Sequence, residues 1–138
     1  MGTGQLTSVV QEAYAAFGRG DVPGILATLD DNVVWKPVYG AAPYVPTAGE
    51  RRGKAAVGEF FAIVGKTMQF ERFEPREFIE QGDRVAVLGF YATRTSTGKR
   101  IESDWVMVFT FRNGKIAEFQ EFTNTAMLNA AFQPVGVS

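Results

Sequence analysis

The stretch from Asp104 to Asn124, DWVMVFTFRNGKIAEFQEFTN, constrains the fold more than any other part of the chain. Its centre, Asn113-Gly114, is the residue pair favoured by a two-residue hairpin turn, because both central residues of such a turn need positive φ. Before the turn, Trp105, Met107, Phe109 and Phe111 alternate with Val106, Val108 and Thr110, so neither face of that strand reads as simply solvated. Such a hairpin needs cover on both sides, from helices on one and from sheet or a second subunit on the other. After the turn, Phe119, Glu121 and Thr123 share one face, which sets the Glu121 carboxylate in an otherwise apolar neighbourhood.

The rest of the chain supplies the cover. Leu6, Val9, Val10, Ala13, Tyr14 and Phe17 recur at the spacing of an amphipathic helix. Gly18 and Gly20 stop it, and Asp21 with Pro23 opens a second, shorter helix through Leu29. Asp30-Asp31-Asn32 reads as a turn before the strand-like Val33-Val34-Trp35. Residues 36–53 hold three prolines and three glycines and read as a long irregular loop, a kind of segment that often serves as a lid or binding loop. Val57, Phe60, Phe61 and Val64 mark a third helix. Strands are then expected over 70–80, 85–95, 104–112 and 115–124, with a short helix over 126–132. Helices segregated from a meandering antiparallel sheet make a single α+β domain spanning 1–138.

Composition removes several function classes. The chain has no cysteine and no histidine, which leaves no thiol chemistry, no expected metal site and no histidine base. Fourteen basic against fifteen acidic residues, with no basic block beyond Arg51-Arg52-Gly53-Lys54, argue against nucleic acid as a partner. No apolar run approaches the roughly 18 residues that span a bilayer, and the polar residues within 1–20 interrupt any secretory core. A soluble, cytoplasmic protein is therefore expected.

The order of elements, with particular residues, resembles the nuclear transport factor 2-like superfamily and its SnoaL-like and ketosteroid isomerase-like branch. The resemblance is carried by Tyr14-Ala-Ala-Phe17 with Gly20-Asp21, by Asp30-Asp31-Asn32-Val33-Val34-Trp35 and by Gly53-Lys54-Ala55-Ala56-Val57. It continues in Gly82-Asp83-Arg84-Val85-Ala86-Val87 and Phe109-Thr-Phe-Arg-Asn-Gly-Lys-Ile116. It implies a curved antiparallel sheet wrapped around three N-terminal helices into a cone with an apolar pocket, and a homodimer through the outer sheet face. The superfold hosts isomerases, cyclases, hydrolases and non-catalytic proteins alike.

The chemistry such relatives use is largely replaced here. Where ketosteroid isomerase-like enzymes carry an aspartate base and two oxyanion donors, this chain has Lys36, Ala13 and Met107. Where SnoaL-like enzymes carry a histidine and an aspartate, it has Met107 and Asn124. Of the acidic positions of limonene epoxide hydrolase-like enzymes only Glu121 is filled, the others falling near Leu88 and Phe90.

Glu121 is thus the candidate general base, its pKa expected to rise through desolvation among Phe119, Trp105 and Phe109. The competing role is a rim glutamate paired with Arg94, Arg112 or Lys115. Trp35, Trp105, Tyr14, Tyr39, Tyr44 and Met107 are candidate lining for a flat, small hydrophobic ligand. Tyr14 also suits the core, and the loop tyrosines suit a pocket mouth. Asn124 can orient a carbonyl or bond to backbone, and Lys36, if buried, can form a Schiff base. Asp104, opposite Trp105, is expected in solvent or at a subunit contact. Two functions remain open. One is a cofactor-independent isomerase, cyclase or hydrolase acting on a small apolar carbonyl- or epoxide-bearing substrate. The other is a non-catalytic ligand-binding or accessory protein. A third reading, a structural dimer module, requires a cone filled by its own side chains.

Overall fold

The computed structural model describes residues 4–134. Helix α1 (Gln5–Gly18) buries Val10, Ala13 and Ala16, the stripe its apolar spacing marks out. Its first turn has no cap of its own. The Glu80 carboxylate accepts from the Thr7 backbone N–H at 2.8 Å and from the Thr7 hydroxyl at 2.7 Å, placing a negative charge where the helix exposes free donors. Helix α2 (Val22–Leu26) is capped by Asp21, whose carboxylate accepts from the Gly24 N–H. Strand β1 (Leu29–Lys36), the two-residue β2 (Arg51–Arg52) and helix α3 (Lys54–Thr67) follow. Four long strands come next: β3 (Met68–Gln81), β4 (Arg84–Thr95), β5 (Arg100–Arg112) and β6 (Lys115–Thr123). Helix α4 (Thr125–Phe132) closes the described chain.

The strands form one six-stranded sheet in the order β2-β1-β6-β5-β4-β3, antiparallel except where β1 runs parallel to β6. Asp30-Asp31-Asn32, expected as a turn, lie within β1. The expectation caught a local feature, because the Asp30 carboxylate accepts from the Asn32 N–H and the pairing with β6 shifts register between Leu29 and Val34. The loop over 36–53 is as expected apart from the short β2 at its end.

Curvature comes from one-residue bulges, which bend a strand and raise its twist. In β3 the extra residues are Glu71 and Arg76, so Phe70, Phe73 and Phe78 can all point inward despite their unequal spacing. In β6 the extra residue is Ala117. Thr110 faces Glu118 while Phe111 faces Ile116, and beyond this point Met107 stands opposite Glu121. The Asn113-Gly114 turn has φ of 53° and 78°, as this turn type requires. The inner face of the sheet carries Val85, Val87, Tyr91, Trp105, Phe109 and Phe119 against the helices, and together these form the core.

Helix α4 is braced at both ends. Asn124 caps it by accepting from the Met127 N–H. At the other end its last carbonyls are held from the β4–β5 turn: Thr95 and Thr97 donate to Ala131 O, and Lys99 donates to Ala130 O and to Gln133 O just past the helix. A lysine there also complements the negative end of the helix dipole.

Candidate functional site

Between the inner sheet face and the helices lies a partly enclosed cavity of about 90 Å³. Half of its lining residues are aromatic: Tyr14 and Phe17 from α1, Phe60 and Phe61 from α3, Phe70 and Phe73 from β3, with Trp35, Tyr91, Phe109 and Phe119 from the sheet. Trp35 lies flat against Phe119, ring centres 3.9 Å apart, so one broad aromatic surface floors part of the space.

Glu121 projects into this cavity from near the end of β6. None of the three bases expected as its partner reaches it. Arg94 donates to Gly98 O and lies near Glu71, Arg112 pairs with Asp30, and Lys115 donates to Ala27 O. Removal from water therefore acts uncompensated, and it pushes the Glu121 carboxyl up to about 8. The rim ion pair weighed from the sequence is not formed.

The cavity also holds two phenols. Tyr14 combines the two roles open to it, since its ring packs among Phe73, Phe78, Trp105 and Phe109 while its edge lines the cavity. Its hydroxyl donates to the Met107 sulfur at 3.1 Å. Burial and the Glu121 charge raise its pKa far above the ordinary tyrosine range. Tyr91, from β4, is pushed up to about 12 mainly by burial, with the Thr123 hydroxyl pulling it down and the Glu121 charge adding to the rise. The sequence reading missed Tyr91. The alternation Val85, Val87, Gly89, Tyr91, Thr93 was the signal that places it on the inner face.

Trp35 and Met107 line the cavity as expected. Five expected ligand contacts lie elsewhere. Trp105 faces inward but is screened from the cavity, stacked against Phe73 and seated over Gly89, where no side chain intervenes. Tyr39 is 59% exposed and packs its ring on Phe122, and Tyr44 is 42% exposed. Their loop reaches the cavity instead through Pro37, Val38 and Thr47. Asn124 spends its side-chain oxygen on the α4 cap. Lys36 points away from the core, where its ammonium meets Glu118 at 2.8 Å and is held in its charged form, so it is not the buried amine a Schiff base needs. Asp104 is exposed, on the face opposite Trp105. Among the described residues no cluster of His, Cys, Asp or Glu could hold a metal ion, and no helix is long and apolar enough to cross a membrane.

Residues 10–119 match the family model of the SnoaL-like domain. An NTF2-like protein of Burkholderia xenovorans is 33% identical with a TM-score of 0.84, covering 94% of this chain and 96% of that one. An NTF2-like protein of unknown function from Burkholderia pseudomallei is 32% identical with a TM-score of 0.85, covering 94% and 98%. TerC, crystallised with polyporic acid, is 30% identical with a TM-score of 0.79, covering 93% and 98%. No curated protein matches the sequence.

Proposed function

Since this chain belongs to the SnoaL-like family of the NTF2-like superfamily, we propose that it is a cofactor-independent acid–base enzyme for a small, flat, carbonyl-bearing substrate, of the isomerase or cyclase kind. One observation carries the reading: Glu121 stands alone in an aromatic cavity, with no cation to hold it ionised. A carboxyl whose pKa lies near the working pH both takes and returns a proton, which enolisation next to a carbonyl requires.

In its ionised form Glu121 takes a proton from the carbon beside the carbonyl, and the C–H electron pair moves into the enolate. The protonated carboxyl then delivers that proton to another carbon, which is isomerisation, or the enolate carbon attacks a second carbonyl of the substrate, breaking its C=O π bond, and the carboxyl gives its proton to the alkoxide so formed, which is an aldol cyclisation. Tyr14 serves the enolate oxygen. Its proton rests on a thioether, a weak acceptor that a developing negative oxygen readily outcompetes. The aromatic floor of Trp35 and Phe119 holds a flat ring system. That TerC was crystallised with polyporic acid makes this compound a fitting first ligand to try.

The test is exchange of α-protons of small aryl ketones for deuterium, followed by NMR. Wild-type protein should accelerate exchange, with a rate that rises with pH and levels off above about 8, as a base of that pKa must be ionised to act. Glu121→Gln should lose at least a hundredfold of the acceleration, the usual span of general-base catalysis being about 10²–10⁴. The binding-protein reading is favoured by one observation, that both phenols facing Glu121 are raised above the ordinary tyrosine range and so no second group titrates near neutrality. Tight ketone binding without accelerated exchange would decide for it.

A further inference from the structure

Tyr91 stands at the end of a short row of hydroxyls, and the pattern that makes the most hydrogen bonds along that row gives its proton a direction. The Ser103 hydroxyl lies 2.7 Å from the Asp104 carbonyl, and Ser103 Oγ lies 3.0 Å from Thr123 Oγ1. Thr123 Oγ1 is also 3.3 Å from the Asp104 carbonyl and 3.4 Å from the Tyr91 hydroxyl. A carbonyl only accepts, and each hydroxyl has one proton to give. The two shortest contacts are both made if Ser103 donates to Asp104 O and Thr123 donates to Ser103. Thr123 then has no proton left, so its contact with Tyr91 is a hydrogen bond only if the phenol donates. Sending the Thr123 proton to the Asp104 carbonyl instead leads to the same result, with Ser103 donating to Thr123.

With these bonds made, the phenol proton points away from the cavity, and what Tyr91 offers inward is its lone pairs. Tyr91 and Glu121 both line the cavity, and Glu121 lies two positions before the Thr123 whose hydroxyl Tyr91 meets. Tyr14, by contrast, has a proton that is easily redirected. The cavity therefore presents two phenols of opposite polarity, one ready to donate and one set to accept.

Resting on the acid–base reading above, we propose that the site selects aromatic carbonyl compounds that also carry a free hydroxyl, with the carbonyl turned to Tyr14 and the hydroxyl donating to the Tyr91 oxygen. Thr123 and Ser103 act as positioning residues, since they touch no ligand and work by holding the Tyr91 proton. A methyl ether at the same place brings a second set of lone pairs against those of Tyr91 and is rejected.

Binding of acetophenone, the three hydroxyacetophenone isomers and their methyl ethers, measured by titration calorimetry near pH 6, tests the assignment. At least one hydroxy isomer should bind about fivefold or more tighter than acetophenone, as one further hydrogen bond implies. Tyr91→Phe should abolish that advantage. Thr123→Val, close to Thr in shape, frees the Tyr91 proton to turn inward, so the matching methyl ether should gain affinity there. If no hydroxy isomer exceeds acetophenone, if the advantage survives Tyr91→Phe, or if Thr123→Val leaves the methyl ethers as they were, the assignment is wrong while the role of Glu121 stands. If neither acetophenone nor any hydroxy isomer binds, both fall together.

Discussion

At the scale of single residues, Glu121 links function to stability. Its carboxyl has an ordinary pKa of 4.5 in the unfolded chain and about 8 in the folded one. Between these values the folded protein holds a proton that the unfolded chain has released, so stability falls as pH rises through this window and levels off above about 8. The loss is on the order of a few kcal/mol, since each unit of difference is worth about 1.4 kcal/mol. Urea unfolding of the wild type at pH 5, 7 and 8.5 should show this decline, and Glu121→Gln, which has no proton to lose, should flatten it by that amount. A wild-type profile parallel to that of the variant would show that Glu121 ionises freely in the fold. Sequence reasoning reached this residue because a lone acid in a run of aromatics is visible in the letters. It did not reach the neighbours' orientation. Trp105 and Met107 alternate identically, and only the packing of Phe73 and Tyr14 across the sheet decides that the first is covered while the second borders the cavity. Asn124 was legible as a backbone partner, since an Asn just before a helical segment is a common cap.

Elements decide what faces inward, and here bulges matter more than alternation. A plain two-residue hairpin at Asn113-Gly114 would set Met107 opposite Gln120 and turn Glu121 to the outside. The extra residue Ala117 shifts the return strand by one and brings Glu121 in. The same device in β3 carries Phe70 and Phe73 to one face. Sequence alternation has no marker for such a residue, which is why helices and hairpins could be placed from the letters while the parity of the strands could not be derived throughout. The contact of β4 with β5 is equally demanding. Gly89 lies directly beneath the Trp105 ring, and a methyl group there would collide with it. Gly89→Ala is expected to destabilise the protein by about 1–3 kcal/mol, the usual cost of overpacking, as a lowered urea midpoint with an unchanged slope. A midpoint equal to that of the wild type would mean that the ring moves aside freely.

For the whole molecule, the outer sheet face poses the question that the hairpin raised first. Val106 and Val108 are half-buried there, Leu88 is 37% exposed and Ile79 47%. Arg72 and Arg76 lie over Phe90 and are paired with Glu74, while Arg100 meets Glu71 and Glu102, so both signs of charge surround an apolar centre. A surface of this kind can match a second copy of itself about a two-fold axis. We propose that the chain is a homodimer through this face. Sedimentation should give twice the mass of one chain, and Leu88→Asp should give the monomer while changing its stability by only about 0.5 kcal/mol, as befits an exposed position. A wild-type monomer at micromolar concentration would end the proposal.

Release of the brace on α4 is expected to change how quickly the cavity exchanges a guest rather than how tightly it holds one. Leu128 of that helix forms part of the cavity wall, while Thr97 and Lys99, which secure its far end, stand outside it. Loosening the brace alters no contact that a bound molecule makes, so arrival and departure quicken together and residence time shortens with little change in affinity. If Glu121 does the chemistry proposed for it, a helix end held from a hairpin turn, at a distance from that carboxyl, is a place where turnover can be slowed or quickened.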